Sequence, residues 1–415
     1  MNKPLHETIK TCRICGSKEI ETFLELGAQP PANSLRDNLS DKLPLVPLSL
    51  CRCAQCTTVQ LTETVEPEHL FKHYFWVTGT SSTAKNYANL FCQEACKRLD
   101  VKNPFIIEIA SNDGTFLKVF RDQGFRVLGI DPAENIVKMA NDNGVPTLAA
   151  FFGEKVAKKV VSDKGLADFI FARNVIPHVA NVHDVIAGMK HCLAPKGVGI
   201  IEFHYAGLII DGLQYDSIYH EHLFYFSLKS MQYLLELHGL QAFDLLESPI
   251  SGGSLALYFS HKDAAKPVES KLKQKIDSEE KNGLNTKEVW DKFAKDCRAH
   301  KNRFVELILK EKSENKVLMG YGSSARSSTL LNYCNINKEH LACIADQNPL
   351  KHNKYTAGSD ILIVSPEEVF SKKPDIIILL AWNFKPEIIS LLKNKYHFSG
   401  KVITPLPNYP EMLQL

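Results

Sequence analysis

Strong net charge, long apolar runs and an apolar leader are all missing from this sequence. Lysine and arginine total 49 against 47 acidic residues, a formal charge of +2, and no basic stripe stands out. Such a balance gives no general attraction for nucleic acid or for a membrane surface. The longest apolar runs, such as Ile376–Trp382, are far too short to span a bilayer. Met1–His6 lacks the apolar core of a secretory signal. A cytoplasmic protein is therefore expected, in which the 11 cysteines stay reduced unless they bind metal. At 415 residues the chain has room for two or three domains.

Glycine is also scarce where one kind of fold would demand it. Phe105–Ile109 reads as a buried strand, Ala110–Gly114 as a turn, and Thr115–Gln123 as a helix with Phe116, Leu117 and Phe120 on one face. Val127–Ile130 is the next strand and ends on Asp131, ~20 residues past the turn, where a carboxylate can take both hydroxyls of a ribose. A dinucleotide fold needs repeated glycine in that turn so that backbone can approach a pyrophosphate. Only Gly114 is present. The loop suits an adenosine without phosphates, and S-adenosylmethionine (SAM) is one. The plainer alternative is an α/β domain in which Asp131 merely caps the next helix.

Cys12-Arg13-Ile14-Cys15 and Cys53-Ala54-Gln55-Cys56 are two Cys-x-x-Cys knuckles, enough for one tetrahedral zinc. With four protein ligands the site is closed and structural. Pro30, Pro31, Pro44 and Pro47 in the gap suggest a looped-out connection. Cys51 is a rival ligand and a redox dithiol a rival reading. The aromatic cluster Phe71, Tyr74, Phe75 and Trp76 precedes a hydroxyl-rich turn, Thr78–Ser82, that could face a ligand. Tyr87–Leu99 reads as a helix.

The alternation of strand and helix continues. Ala149–Phe152 forms a candidate adenine wall ending in Phe152, and Ala167–Asn174 is the fourth strand, with Asn174 and then His178 at its C-terminal end. Val198–Phe203 follows, so the sheet is mostly parallel. Asp216–Ser227 is the densest cluster of proton-transfer groups; its two histidines are two apart, which is not the zinc-protease spacing. Leu255–Ser260 is a final strand, and Lys262–Asn315 reads as helices with solvated faces. A second nucleotide-like half then begins. Gly320–Ala325 is G-x-G-x-x-A between the strand Val317–Met319 and a helix, Arg326 adds a fixed charge, and Asp346 ends the next strand. This turn could hold NAD or the diphosphate of a nucleotide-linked substrate through Gly322, Ser324 and Arg326. Asn383 sits on the ligand side of a later strand.

Together these pieces resemble the SAM-dependent nucleotide-sugar C-methyltransferases. The resemblance rests on the four knuckle cysteines, Val59–Leu61, Glu108–Gly114, Gly129–Pro132, Tyr219–His222, Gly252–Ser254, Thr329–Tyr333 and Ala381–Phe384. It implies an α/β architecture: a small zinc-binding domain (1–70), a SAM methyltransferase Rossmann-like domain (71–262), and a helical linker with a C-terminal Rossmann-like domain (263–415). His222 is then the base that removes the proton beside a keto-sugar carbonyl. Tyr219 and Glu221 orient it or hold the oxyanion, and His178 is a second candidate. Glu108, Asn112, Gly114, Asp131, Phe152 and Asn174 would bind SAM; Tyr74, Gly322, Ser324, Arg326 and Asn383 the nucleotide-sugar, expected to be a dTDP-linked deoxysugar. A monomer or small homo-oligomer is expected, with no nucleic-acid or membrane partner. The chain departs from the family pattern at Arg326 (usually Lys), Ala357 (usually Pro before Gly358) and Tyr87 (usually His). The competing functions are a nicotinamide-dependent sugar oxidoreductase or epimerase, and a zinc protein that holds SAM without turnover.

Overall fold

The computed structural model describes residues 4–67, 70 and 77–415. Tyr74, with Phe71, Phe75 and Trp76, lies outside the described residues.

The N-terminal region is built on two small sheets. β1 (His6–Thr8) pairs with β5 (Glu63–Val65), and β2 (Ile20–Gln29), β3 (Val46–Cys53) and β4 (Val59–Leu61) form an antiparallel run. The connection between the knuckles is therefore a hairpin rather than a free loop. Val46, Leu48 and Leu50 alternate inward along β3 while Pro47 faces out, as a half-buried strand requires. Pro30, Pro31 and Pro44 lie outside the strands.

The central sheet runs β12-β13-β10-β9-β6-β7-β8. Its members are β6 (Phe105–Ile109), β7 (Arg126–Asp131), β8 (Thr147–Ala149), β9 (Ala167–Arg173), β10 (Leu193–His204), β12 (Leu240–Ser248) and β13 (Ser254–His261). β13 runs against both neighbours; the other paired neighbours are parallel. Strand order reverses at β6, which lies between β7 and β9, so a crevice opens beyond their C-terminal ends. Every residue of β6 is buried, consistent with helices on both faces. α1 (Ser82–Cys96) and α2 (Thr115–Asp122) cover one face. There Phe91, Phe116, Phe120, Phe169 and Phe171 pack ring to ring, with centroids 5.1–6.4 Å apart.

Two helices, α8 (Ser270–Lys281) and α9 (Lys287–Ser313), lead to a C-terminal sheet of order β16-β15-β14-β17-β18-β19, with β16 at Ile363–Val364, β18 at Lys401–Thr404 and β19 at Glu411–Gln414. Its centre is β14 (Leu318–Tyr321) between β15 (Ile344–Ala345) and β17 (Ile376–Leu379), all parallel. α10 (Ala325–Tyr333) leaves the glycine-rich turn after β14 and packs against the segment Tyr215–Ser217 of the central domain. The two-residue strand β11 (Phe224–Tyr225) belongs by sequence to the central domain, yet it pairs with β4 as the edge of the N-terminal sheet.

Candidate active site

The crevice is lined as the strand order requires. Ala110, Asn112 and Gly114 have φ of +52°, +51° and +77°, and Asn174, at the exit of β9, has +49°. Left-handed backbone at a non-glycine such as Ala110 is strained, and such strain clusters at ligand sites. A side chain on Gly114 would meet Val145 at 2.9 Å, and one on Gly129 would meet Ser111 at 2.4 Å. Both glycines let the loop fold tightly over β7.

Asp131 accepts the amides of Asn112 (Oδ2) and Ala133 (Oδ1), each at 2.9 Å. The carboxylate thus does steady the start of the next helix, Glu134–Asp142, as the plainer reading held. Each oxygen keeps a lone-pair direction for a further hydroxyl. Burial raises the Asp131 carboxyl. Glu108, 2% exposed, has one oxygen 4.0 Å from the Arg173 guanidinium and the other, Oε2, without a partner. Burial pushes this carboxyl well above the ordinary range. Ser111 Oγ is a second buried polar atom without a partner. Orphaned polar atoms at a strand-end crevice are what a polar ligand would satisfy. They fit an adenosyl group carrying an amino acid, so Glu108, Asp131 and the Ala110–Gly114 loop would hold SAM.

The Asn112 and Asp113 side chains do something sequence reading missed. They accept the amides of Thr78 (2.8 Å) and Gly79 (3.0 Å), docking the hydroxyl-rich turn onto the loop. Phe152 is half-buried against Gly188 beyond β8, beside the exposed Phe151.

The proton-transfer cluster lies at the same end of the sheet. Leu223 donates its amide to Pro177 O at 2.7 Å, which brings the loop carrying His222 onto the turn carrying His178; the two imidazoles are 4.8 Å apart. His222 Nδ1 faces Ser217 O at 2.9 Å, and its Nε2 faces Tyr219 Oη at 2.7 Å. A carbonyl only accepts, so Nδ1 carries the proton and Nε2 accepts from the tyrosine. Burial holds His222 well below the ordinary imidazole value, with His178 adding to the effect, and burial pulls His178 down to about 4. Both rings are neutral at physiological pH.

Glu221 does not touch the His222 ring in the role expected of it. Its Oε1 accepts Asn33 Nδ2 of the N-terminal domain at 2.5 Å, and burial pushes the carboxyl up to about 7. His220 likewise points to that domain, donating to Val46 O at 3.1 Å. Tyr219 and His222 face inward, whereas His220 and Glu221 between them are clamped to the N-terminal domain.

The C-terminal turn differs from its motif. Asp346 accepts the amide of Ser323 (2.8 Å) and the Lys351 ammonium (3.2 Å) on Oδ2 and the amide of Asn348 (2.8 Å) on Oδ1, so, unlike Asp131, it has one oxygen doubly engaged and its charge paired with a lysine. Ser324 forms a reciprocal cap with Ser327, and Gly322 (φ +96°) lies where a side chain would meet Ala381 at 2.4 Å. Arg326 is paired with Asp216 through two hydrogen bonds of 3.0 and 2.7 Å and stacks over Trp382. These groups cap, pack and join domains rather than present a bare phosphate cradle. Asn383 is half-buried in the turn after β17.

The four knuckle thiols, with sulfurs all within 4.8 Å of one another, form the one such cluster among the described residues; Cys51 is excluded. The Cys12–Cys56 and Cys15–Cys53 sulfur distances are 3.5 Å. A zinc tetrahedron with bonds of ~2.3 Å has edges of roughly 3.8 Å. The Gln60 amide group donates to Cys12 Sγ at 3.1 Å, the outer-sphere support a thiolate needs. The donor set fits structural zinc.

Family models match a zinc binding domain at residues 12–71, a methyltransferase domain at 85–245 and the C-methyltransferase C-terminal domain at 249–407. C-methyltransferase NovU of Streptomyces niveus is 31% identical over 402 residues, which is 96% of each chain. The chain belongs to the C-methyltransferase family. This C-methyltransferase is accordingly SAM-dependent and carries zinc in its N-terminal domain. Among solved structures, it is similar to the SAM-bound amino pentose methyltransferase CalS10 from Micromonospora echinaspora (16% identity, 45% of this chain, 97% of that one, TM-score 0.35). It is also similar to magnesium protoporphyrin IX methyltransferase from Synechocystis PCC 6803 (11%, 42%, 78%, 0.32). No helix among the described residues is long and apolar enough to cross a membrane.

Proposed function

We propose that this enzyme adds a branching methyl to a carbon beside the carbonyl of a nucleotide-diphosphate keto-deoxysugar, dTDP-linked, in the cytoplasm. Methylation at carbon requires a nucleophilic carbon, and a C–H next to a carbonyl becomes one when a base removes its proton and the oxygen is stabilised. The observation that carries the reading is the Tyr219–His222 couple, 2.7 Å apart, at the strand ends that hold the SAM crevice. SAM bound there would supply an electrophilic methyl, its S–CH3 bond breaking to leave S-adenosylhomocysteine as the new C–C bond forms. His222 takes the carbon-bound proton on Nε2, the only ring nitrogen not already protonated. Tyr219 turns its hydroxyl from Nε2 to the developing oxyanion, and His178 borders the same space. In this reading Asn383 and the turn at Gly322–Arg326 border the nucleotide, with Arg326 kept in place by Asp216. The sugar assignment draws on the Tyr219–His222 element and its companions in the sequence, since NovU's name specifies only C-methylation.

The deciding experiment is incubation with SAM and a panel of thymidine- and guanosine-diphosphate keto-sugars, followed by mass spectrometry. A product heavier by one methylene supports the proposal. No gain with any keto-sugar, alongside intact SAM binding, would defeat it.

A further inference from the structure

Ser217 is gripped on both sides by the C-terminal domain. On one side its neighbour Asp216 receives Arg326 at 3.0 and 2.7 Å and the indole N–H of Trp382 at 2.7 Å. On the other, Ile218 offers its carbonyl to the Thr329 hydroxyl at 2.7 Å. Between them, the Ser217 carbonyl accepts Nδ1–H of His222 at 2.9 Å. Asp216 and Thr329 are each 1% exposed, so these bonds are sheltered from competing water. The three gripping residues come from 110 to 166 positions further along the chain.

We propose that Arg326, Trp382 and Thr329 are positioning residues that fix the Nδ1–H tautomer of His222 through the Asp216–Ile218 backbone. The C-terminal domain thereby decides which imidazole nitrogen is free to accept a proton. A neutral imidazole has one donor and one acceptor nitrogen, and the group facing Nδ1 selects between them. In serine hydrolases a buried carboxylate makes that selection. Here a main-chain carbonyl does, and a carbonyl selects only while it is held in place. If the segment drifts, the proton can move to Nε2 and the lone pair is lost from the substrate side. Releasing Asp216 from Arg326 would leave a buried charge unpaired, which strongly favours such a rearrangement.

The proposal rests on His222 as the base, and its test has a readout that needs no substrate. Histidine-selective ¹⁵N labelling of the full-length, zinc-loaded protein reports ring tautomers, with His222→Gln identifying the signal. Wild type should show a pure Nδ1–H ring. Thr329→Val, close in shape but without the hydroxyl, should give a mixture of tautomers. It should also lower kcat in proportion to the fraction of ring moved to the Nε2–H form, about twofold for an even mixture, with KM for SAM unchanged. Thr329→Ser should restore both. Trp382→Phe keeps a ring but loses the N–H and should move both readouts the same way. A pure Nδ1–H signal in both Thr329→Val and Trp382→Phe would overturn the proposal, as would a lower kcat with an unchanged tautomer. Failure of the wild type to methylate any keto-sugar would instead strike the proposed substrate, leaving the tautomer result to stand or fall alone.

Discussion

Asn33 Nδ2 and Glu221 Oε1 lie 2.5 Å apart, joining the N-terminal domain to the residue beside His222. Burial raises the Glu221 carboxyl from 4.5 to about 7, and the Asn33 bond works against that rise. Asn33→Ala should therefore move the Glu221 titration upward, as ¹³C NMR of labelled glutamate would record. A midpoint that falls or stays put would contradict this.

The same shift has a stability consequence. Between pH 4.5 and about 7 the native state holds a Glu221 proton that the unfolded chain has released, so this group's contribution weakens as pH rises through that window. Glu221→Gln removes the titration. Urea denaturation should show the variant gaining on wild type from pH 4.5 to 7, by about 3 kcal/mol at most. An unchanging difference would show that the carboxyl does not titrate there.

Replacing His222 by Gln should abolish methyl transfer, a fall of at least ~10² in kcat, while SAM affinity is kept. Tyr219→Phe should cost ~10²- to 10³-fold in kcat, the loss of one donor to the developing oxyanion. Because the His222 ring is held neutral well below its ordinary value, kcat/KM should show no His222 inflection near pH 6.5. Such an inflection, absent in a His222 variant with residual activity, would refute the assignment.

Asp131→Asn keeps the size of the side chain but loses the charge and one acceptor. Calorimetry should find SAM binding weaker by ~10- to 150-fold, the worth of one hydrogen bond to a charged group. Glu108→Gln should weaken it in the same direction, since Oε2 is the buried oxygen left for the ligand. Unchanged SAM affinity in both would place the adenosine elsewhere.

Removing zinc with a chelator, or replacing Cys53 by Ser, should stop methyl transfer while SAM still binds. The knuckles brace the sheet whose β4 edge holds β11, and β11 begins two residues after His222. Parallel loss of SAM binding, followed by titration, would count against so local an effect.

The crevice proposed for SAM is legible in the sequence because each of its parts is written locally. A fully buried strand, a tight loop with one glycine and an acid at the next strand end all fall within Phe105–Asp131. The hairpin β2–β3 is less legible, because Pro44 and Pro47 read as strand breakers and mask the alternation Val46, Leu48, Leu50. The strand β12 carries no clean alternation either, because Ala242, Phe243, Asp244 and Leu245 are buried in succession. The partners of Arg326 and Glu221 could not be read at all. Asp216 lies 110 positions from Arg326, and Asn33 lies 188 from Glu221. A motif names a residue's chemistry but not the distant group that occupies it.

β11 also ties together two stretches of chain that are made far apart in time. During synthesis the zinc module emerges with β4 as an open edge, and the strand that closes it arrives only when Phe224–Tyr225 follows. A fragment ending before that point would carry an unpaired, fully buried-type edge of Val59, Gln60 and Leu61, prone to pairing with other chains. A metal-binding piece cut near residue 70 would therefore lack the strand that finishes its sheet, because that strand follows directly on the loop that bears the proposed base.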